Sequence, residues 1–152
     1  MGIPIDYVRI EPGIGQALGA MHTYVRKTAL DPRLLHLIDI RVSQINGCAY
    51  CLNLHCEEAR RDGELQQRLD VLAAWWETDL FTPAEQAALG FAEQLTHIST
   101  DKGTDALYAQ LGNLFSEQEI VQLTGAVIDI NAWNRLAIAT GRQPKRRGAD
   151  GG

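Results

Sequence analysis

Helix-start signals punctuate this chain at three well-separated places, and nothing in it alternates with period two for long enough to make a sheet. Asp31-Pro32 pairs an N-cap with proline at the first helical position. Thr82, Pro83 and Glu85 add a glutamate three residues after the cap, the spacing of a capping box, and Ser116 with Glu119 repeats the device. The pattern predicts an all-α fold. Helices are expected from about Ile14 to Thr28, from Pro32 to a stop at Asn46-Gly47, and from Cys48 to Gly63. Three more are expected: one following Thr82, one from Thr104 to Phe115, and one running from Ser116 to Gly141. The stretch "LQQRLDVLAAWWETDLF" predicts one or two short helices. The helix that follows Ser116 is apolar on nearly every side, which predicts burial in the domain or in an interface. No internal repeat is present.

A chain of 152 residues is most simply one domain, here residues 1–141, followed by a polar Gly- and Arg-rich tail, 142–152, expected to be disordered. Lys145, Arg146 and Arg147 in that tail suit solvent better than an acidic partner. A net charge of -5 argues against nucleic acid as a partner, because neutralising phosphates requires a basic face. No apolar run approaches the ~20 residues of a membrane span. The opening "MGIPIDYVRIEPG" carries neither a basic leader nor an apolar core, so a cytoplasmic location is expected. In that compartment a spaced cysteine pair suggests catalysis or metal binding rather than a structural disulfide.

All three cysteines fall within "INGCAYCLNLHCEEAR", beside a histidine. With a helix beginning near Cys48, residues Cys48, Cys51 and His55 lie at i, i+3 and i+7 on one face. The Cα atoms of a pair three apart are separated by roughly 5–6 Å, within the range of a disulfide. The free N–H groups and dipole of a helix N-terminus favour thiolate over thiol. His55, one turn beyond Cys51, is placed to take or return a proton. Attack on a peroxide or disulfide needs a thiolate, a base and a second sulfur to resolve the intermediate, and all three are in the segment. Covalent haem would need histidine directly after the second cysteine, where Leu52 stands. Zinc has four possible ligands in Cys48, Cys51, His55 and Cys56, but the last two project about 100° apart and do not easily share one ion. No metal or cofactor is expected. Inert apolar packing suits Cys56 better than the pair.

The segment "RVSQINGCAYCLNLHCEEAR" closely resembles the signature of the carboxymuconolactone decarboxylase superfamily in its alkylhydroperoxidase D-like branch. "INAWNRLAIA", Ile130 to Ala139, resembles that branch's second recurrent segment, so the likeness spans roughly Leu34 to Ala139. The resemblance implies an AhpD-like helical domain, assembled as a homotrimer or homohexamer. It also implies a CxxC that cycles between dithiol and disulfide while reducing peroxides, with a dithiol or protein thiol as reductant. Carried over by position, Cys51 attacks, Cys48 resolves and His55 relays protons. The superfamily's lactone decarboxylases lack the cysteine pair, so decarboxylation is not implied. Two departures are visible. The branch commonly has glutamate twelve residues before the first cysteine, completing the proton relay, where this chain has His36 as the candidate catalytic residue, and the founding member has histidine where Tyr50 stands. His36 lies ten residues before the Asn46 turn and His55 nine after it, so the two can sit at similar heights across a hairpin.

Among other residues, Trp133, Asn131 and Asn134 suit packing or support of the site. Trp75 and Trp76 suit a core, and His22 and His97 a surface or helix end. Besides a peroxidase, two alternatives stand: a thiol-disulfide redox sensor or reductase, and a structural oligomer with inert cysteines.

Overall fold

The computed structural model describes residues 2–146. Among them every regular element is helical: α1 (Tyr7–Ile10), α2 (Pro12–Arg26), α3 (Pro32–Asn46), α4 (Ala49–Arg61), α5 (Gln66–Val71), a 3-10 segment (Leu72–Glu77), α6 (Pro83–Thr96), α7 (Asp105–Leu114) and α8 (Glu117–Ala139). The start signals act as the sequence predicts. Asp31 accepts the Arg33 N–H at 2.8 Å, and reciprocal capping boxes form at Thr82/Glu85 and Ser116/Glu119. The 3-10 segment breaks at Ala74, whose φ of -129° and ψ of 37° lie outside helical space. The short helix α1, capped by Asp6, was not expected from the sequence; four residues are too few to display a period.

Helix α3 is the axis of the molecule, with α4, α6 and α8 packed around it. Leu34, Ile38 and Val42 on one side join Phe91, Leu123 and Ile130 in a core that also takes in both CxxC cysteines. Leu37 and Ile40 on the other side join Leu69, Leu72, Phe81 and Leu89. Each such aliphatic side chain stabilises the fold by about 1.5–3 kcal/mol through burial. The enclosed helix is therefore α3. The strongly apolar α8, expected to be buried in the domain or in an interface, keeps one face outward from this chain, with Val121, Ile128 and Ile138 exposed.

A hairpin of α3 and α4 presents the cysteines. Gly47 closes α3 in the left-handed region, at φ 67° and ψ 35°, where a Cβ would be strained. Cys48 follows immediately as the N-cap of α4. Among the described residues no helix is long and apolar enough to cross a membrane.

Trp75 packs against the second core cluster, whereas Trp76, expected in the core, is exposed, and neither lines the cavity beside Cys51. Their rings meet edge to face at 5.9 Å, the Trp75 indole donates to Glu93 at 2.8 Å, and Arg41 pairs with the same carboxylate at 2.6 Å. His97 caps the C-terminus of α6. Of the expected tail, Arg142 is held against the body by Tyr7 and Tyr50, while residues 147–152, Arg147 included, lie outside the described residues.

Candidate active site

Cys48 occupies the position usually filled by Ser, Thr, Asp or Asn, and its sulfur accepts the backbone N–H of Cys51 at 3.3 Å. Both thiols are reduced and buried. Their proton equilibria are linked. Cys48 is pushed down to about 7, chiefly by the hydrogen bond from the Cys51 side chain; burial opposes this, while the Cys51 N–H, the Asn134 amide and the charge of His55 assist it. Cys51, which donates that bond and is itself desolvated, is pushed far upward. The two sulfurs share one proton and titrate as a unit whose first ionisation falls near neutrality.

His55 stands one turn along α4, almost fully buried. Its Nδ1 lies 3.0 Å from Glu58 Oε2 and 3.7 Å from Asp39 Oδ2. Burial penalises the imidazolium, but the charges of Asp39 and Glu58 outweigh it and hold His55 above its ordinary value. Glu58 is lowered in return, first by its hydrogen bond to His55. Asp39 also pairs with Arg26. Arg26 Nε in turn donates to His22 Nε2 at 3.4 Å, which leaves His22 Nδ1 to donate to the buried Asp129 at 2.8 Å. A line of polar contacts thus runs from Glu58 and His55 on α4, through Asp39 on α3 and Arg26 and His22 on α2, to Asp129 on α8. His22, which the sequence placed at a surface or helix end, is part of it.

A cavity of about 260 Å³ opens onto Cys51 and His55. Tyr7, Tyr50, Leu54, Trp133 and Ala137 make its walls predominantly apolar, and His22, Glu58 and Arg142 also line it. Cys48 is not part of this wall; it lines a second depression, to which Tyr50 also contributes. Trp133 brings to the wall an indole N–H that is buried without a partner.

The asparagines of α8 hold the hairpin in place. Asn46, the last residue of α3, donates to Asn131 at 3.0 Å and to Asn134 at 2.9 Å, and Asn134 donates to Ser43 at 2.9 Å. They touch the turn that carries the cysteines and do not face the cavity, which matches the supporting role read from the sequence.

His36 sits apart from this arrangement. Its Nε2 is 2.8 Å from Asp62 Oδ2, its Nδ1 is buried without a partner, and no hydrogen bond joins it to Cys51 or His55. Its influence on the site passes through the carboxylate of Glu58, which its charge helps to lower. The groups that do meet His55, Asp39 and Glu58, were not singled out from the sequence. A signal was available for Asp39: His36, Asp39 and Ser43 are polar residues at i, i+3 and i+7, on one face of the helix. Cys56 is turned into the second core cluster, against Leu52 and Leu37, and burial raises its thiol. Among the described residues no group of three or more His, Cys, Asp or Glu side chains is arranged to hold a metal ion.

Residues 12–94 match the model of the Carboxymuconolactone decarboxylase family. The chain is 37% identical over 139 residues to the uncharacterized protein YdfG of Bacillus subtilis, covering 91% of this chain and 95% of that one. Its fold superimposes with a TM-score of 0.92 on a crystal structure from Agrobacterium tumefaciens, at 35% identity and covering 95% and 99% of the two chains. That protein is described as one of unknown function and a candidate antioxidant defence protein, AhpD. The debrominase Bmp8 shares the fold with a TM-score of 0.80, at 20% identity over 91% of this chain and 74% of that one. At that distance the likeness concerns architecture alone.

Proposed function

The chain belongs to the carboxymuconolactone decarboxylase family, and within it we propose a thiol-dependent peroxidase that cycles Cys48 and Cys51 between dithiol and disulfide. One observation carries the proposal: Cys51 faces the apolar cavity beside a cation-favouring His55, while Cys48 behind it shares its proton. Access and ionisation are divided between the two sulfurs. Shift of the shared proton to Cys48 leaves a thiolate on Cys51, which His55 in its protonated form stabilises. That thiolate attacks the distal peroxide oxygen; the O–O bond breaks, and His55 gives its proton to the departing alkoxide. Products are the Cys51 sulfenic acid and an alcohol. Cys48 then attacks the Cys51 sulfur, water leaves with the remaining proton, and a disulfide closes. The sum is two thiols and ROOH converted to a disulfide, ROH and H2O. A dithiol or protein thiol reductant restores the starting state.

Asp39 and Glu58 serve as the carboxylates that set the charge of His55, and His36 acts on the relay only through Glu58. The outward apolar face of α8 supports self-association as a trimer or hexamer. Peroxide consumption with a dithiol reductant tests the function. Turnover that disappears in Cys51→Ser is the expected result; equal rates in the two proteins would refute it. A redox sensor is the second reading, favoured by the depth at which Cys48 is buried. It would give stoichiometric oxidation without multiple turnovers.

A further inference from the structure

Arg142 follows the end of α8, yet its guanidinium is fixed by two aromatic rings at the cavity wall. It lies 4.4 Å from the centre of the Tyr50 ring and 5.6 Å from that of Tyr7, and it donates to the Tyr7 hydroxyl at 2.5 Å. Stacking on two rings restricts a side chain that would otherwise sample many rotamers, so little freedom remains to be lost on binding an anion. Elsewhere in the same lining the charges answer one another: Glu58 faces His55, and Asp39, outside the lining, lies near His55 and pairs with Arg26. Arg142 makes no ion pair with any described residue. A carboxylate entering the cavity therefore finds, among the described residues, one cation without a paired carboxylate, while Glu58 beside His55 would disfavour its approach there. Tyr50, Leu54, Trp133 and Ala137 line the same cavity as Arg142 and Cys51, and its wall is predominantly apolar.

From this polarity we propose that the preferred oxidant is an organic hydroperoxide carrying a carboxylate, bound with its anionic group on Arg142, its apolar body against Tyr50 and Leu54, and its O–O bond at Cys51. The inference rests on the peroxidase reading of the site and adds to it the chemical class of the substrate. Arg142 is a specificity residue here; the planar fork of its guanidinium matches a carboxylate, and the cavity it shares with Cys51 is about 260 Å³, which suits a compact ligand.

A matched pair tests it: 4-(2-hydroperoxypropan-2-yl)benzoate and its methyl ester, which have the same reacting centre and differ in one charge. Reduced protein is mixed with each in single turnover, so that no reductant contributes, and thiol loss is followed. In the wild type the acid is expected to react about tenfold faster than the ester, the scale of one charge-assisted hydrogen bond at a partly open site. Arg142→Gln should bring the ratio close to one, Arg142→Lys should recover part of it, and added salt should narrow it in the wild type. A wild-type ratio near one, or a ratio unchanged in Arg142→Gln, overturns the proposal. The ratio is taken within each protein, so a general loss of fold does not mimic the effect. Calorimetric titration with the unreactive 4-(2-hydroxypropan-2-yl)benzoate and its ester separates the two layers of inference. Acid-selective binding that depends on Arg142, without oxidation by either hydroperoxide, would remove the peroxidase reading and leave the anion site standing. Absence of acid-selective binding would remove the anion site.

Discussion

The sulfur of Cys48 caps the helix that carries Cys51, accepting its backbone N–H at 3.3 Å. One thiol is thereby the electrostatic ground of the other. Cys48 is held at about 7 chiefly by the Cys51 side chain, and Cys51 is raised because it donates to Cys48. Alkylation of the reduced protein should therefore accelerate with pH around a midpoint near 7. In Cys48→Ser the sulfur acceptor is gone and burial still opposes ionisation of Cys51, so the first midpoint should move to the ordinary thiol range of about 8.5 or above. Coincident profiles for the two proteins would show that the sulfurs do not communicate.

Limited oxidation should produce one bridge, Cys48 to Cys51 within a single chain, with Cys56 left as a thiol. The motive is geometric: the pair is one helical turn apart, whereas Cys56 packs into the cluster around Leu37 and Leu52. Non-reducing peptide mapping after one equivalent of peroxide reads the result. A principal bridge to Cys56, or one linking two chains, would contradict it.

The carboxylates beside His55 can be separated from His36 by substitution. Glu58→Gln removes a hydrogen bond and a charge that raise His55, so the imidazole titration followed by NMR should move to lower pH. A group whose folded value is raised contributes stability that is full below its unfolded value and is lost as pH rises through the folded one. The variant should accordingly be more destabilised at pH 6 than at pH 9. Peroxide turnover near neutral pH should fall by about tenfold, within the range for loss of an acid–base element. His36→Leu, which reaches the site only through Glu58, should lower turnover by less than Glu58→Gln does. The reverse order would restore His36 to the centre of the relay.

Tyr24 and Val121 are 72% and 71% exposed on neighbouring faces of α2 and α8, flanking a groove that also includes Met21 and Gly125. Light scattering at micromolar concentration is expected to show a trimer or hexamer, and Val121→Glu to shift it to smaller species with helical content retained. A monomeric wild type would remove the assembly proposal.

The helical architecture was legible because its boundaries are written in local chemistry: Asp31-Pro32, Thr82 with Glu85, Ser116 with Glu119 and the Asn46-Gly47 stop act within a few residues of where they stand. The CxxC and His55 were legible for the same reason, since i, i+3 and i+7 on one helix fix their common face. What the sequence concealed depends on contacts between distant helices. Asp39 reaches His55 across the hairpin, His22 meets Asp129 over 107 residues, and Arg142 lies on Tyr7 from 135 residues away. Spacing alone does not encode such meetings. His36 drew notice through its place in a family pattern, while the residue that faces His55 is Asp39, one turn nearer the bend.

Asp39 stands eight residues before Gly47 and His55 eight after it, so the two meet because both arms of the hairpin are counted from the same bend. An insertion or deletion of one residue in either arm would rotate everything beyond it by about 100° and slide it ~1.5 Å along the axis. Carboxylate and imidazole would then pass without touching, although every residue type needed for the chemistry would still be present. Between these two positions the interval is the heritable quantity. A substitution at exposed Ala49 leaves that interval intact, whereas Gly47 is held to glycine by its left-handed backbone and a change of length breaks the meeting.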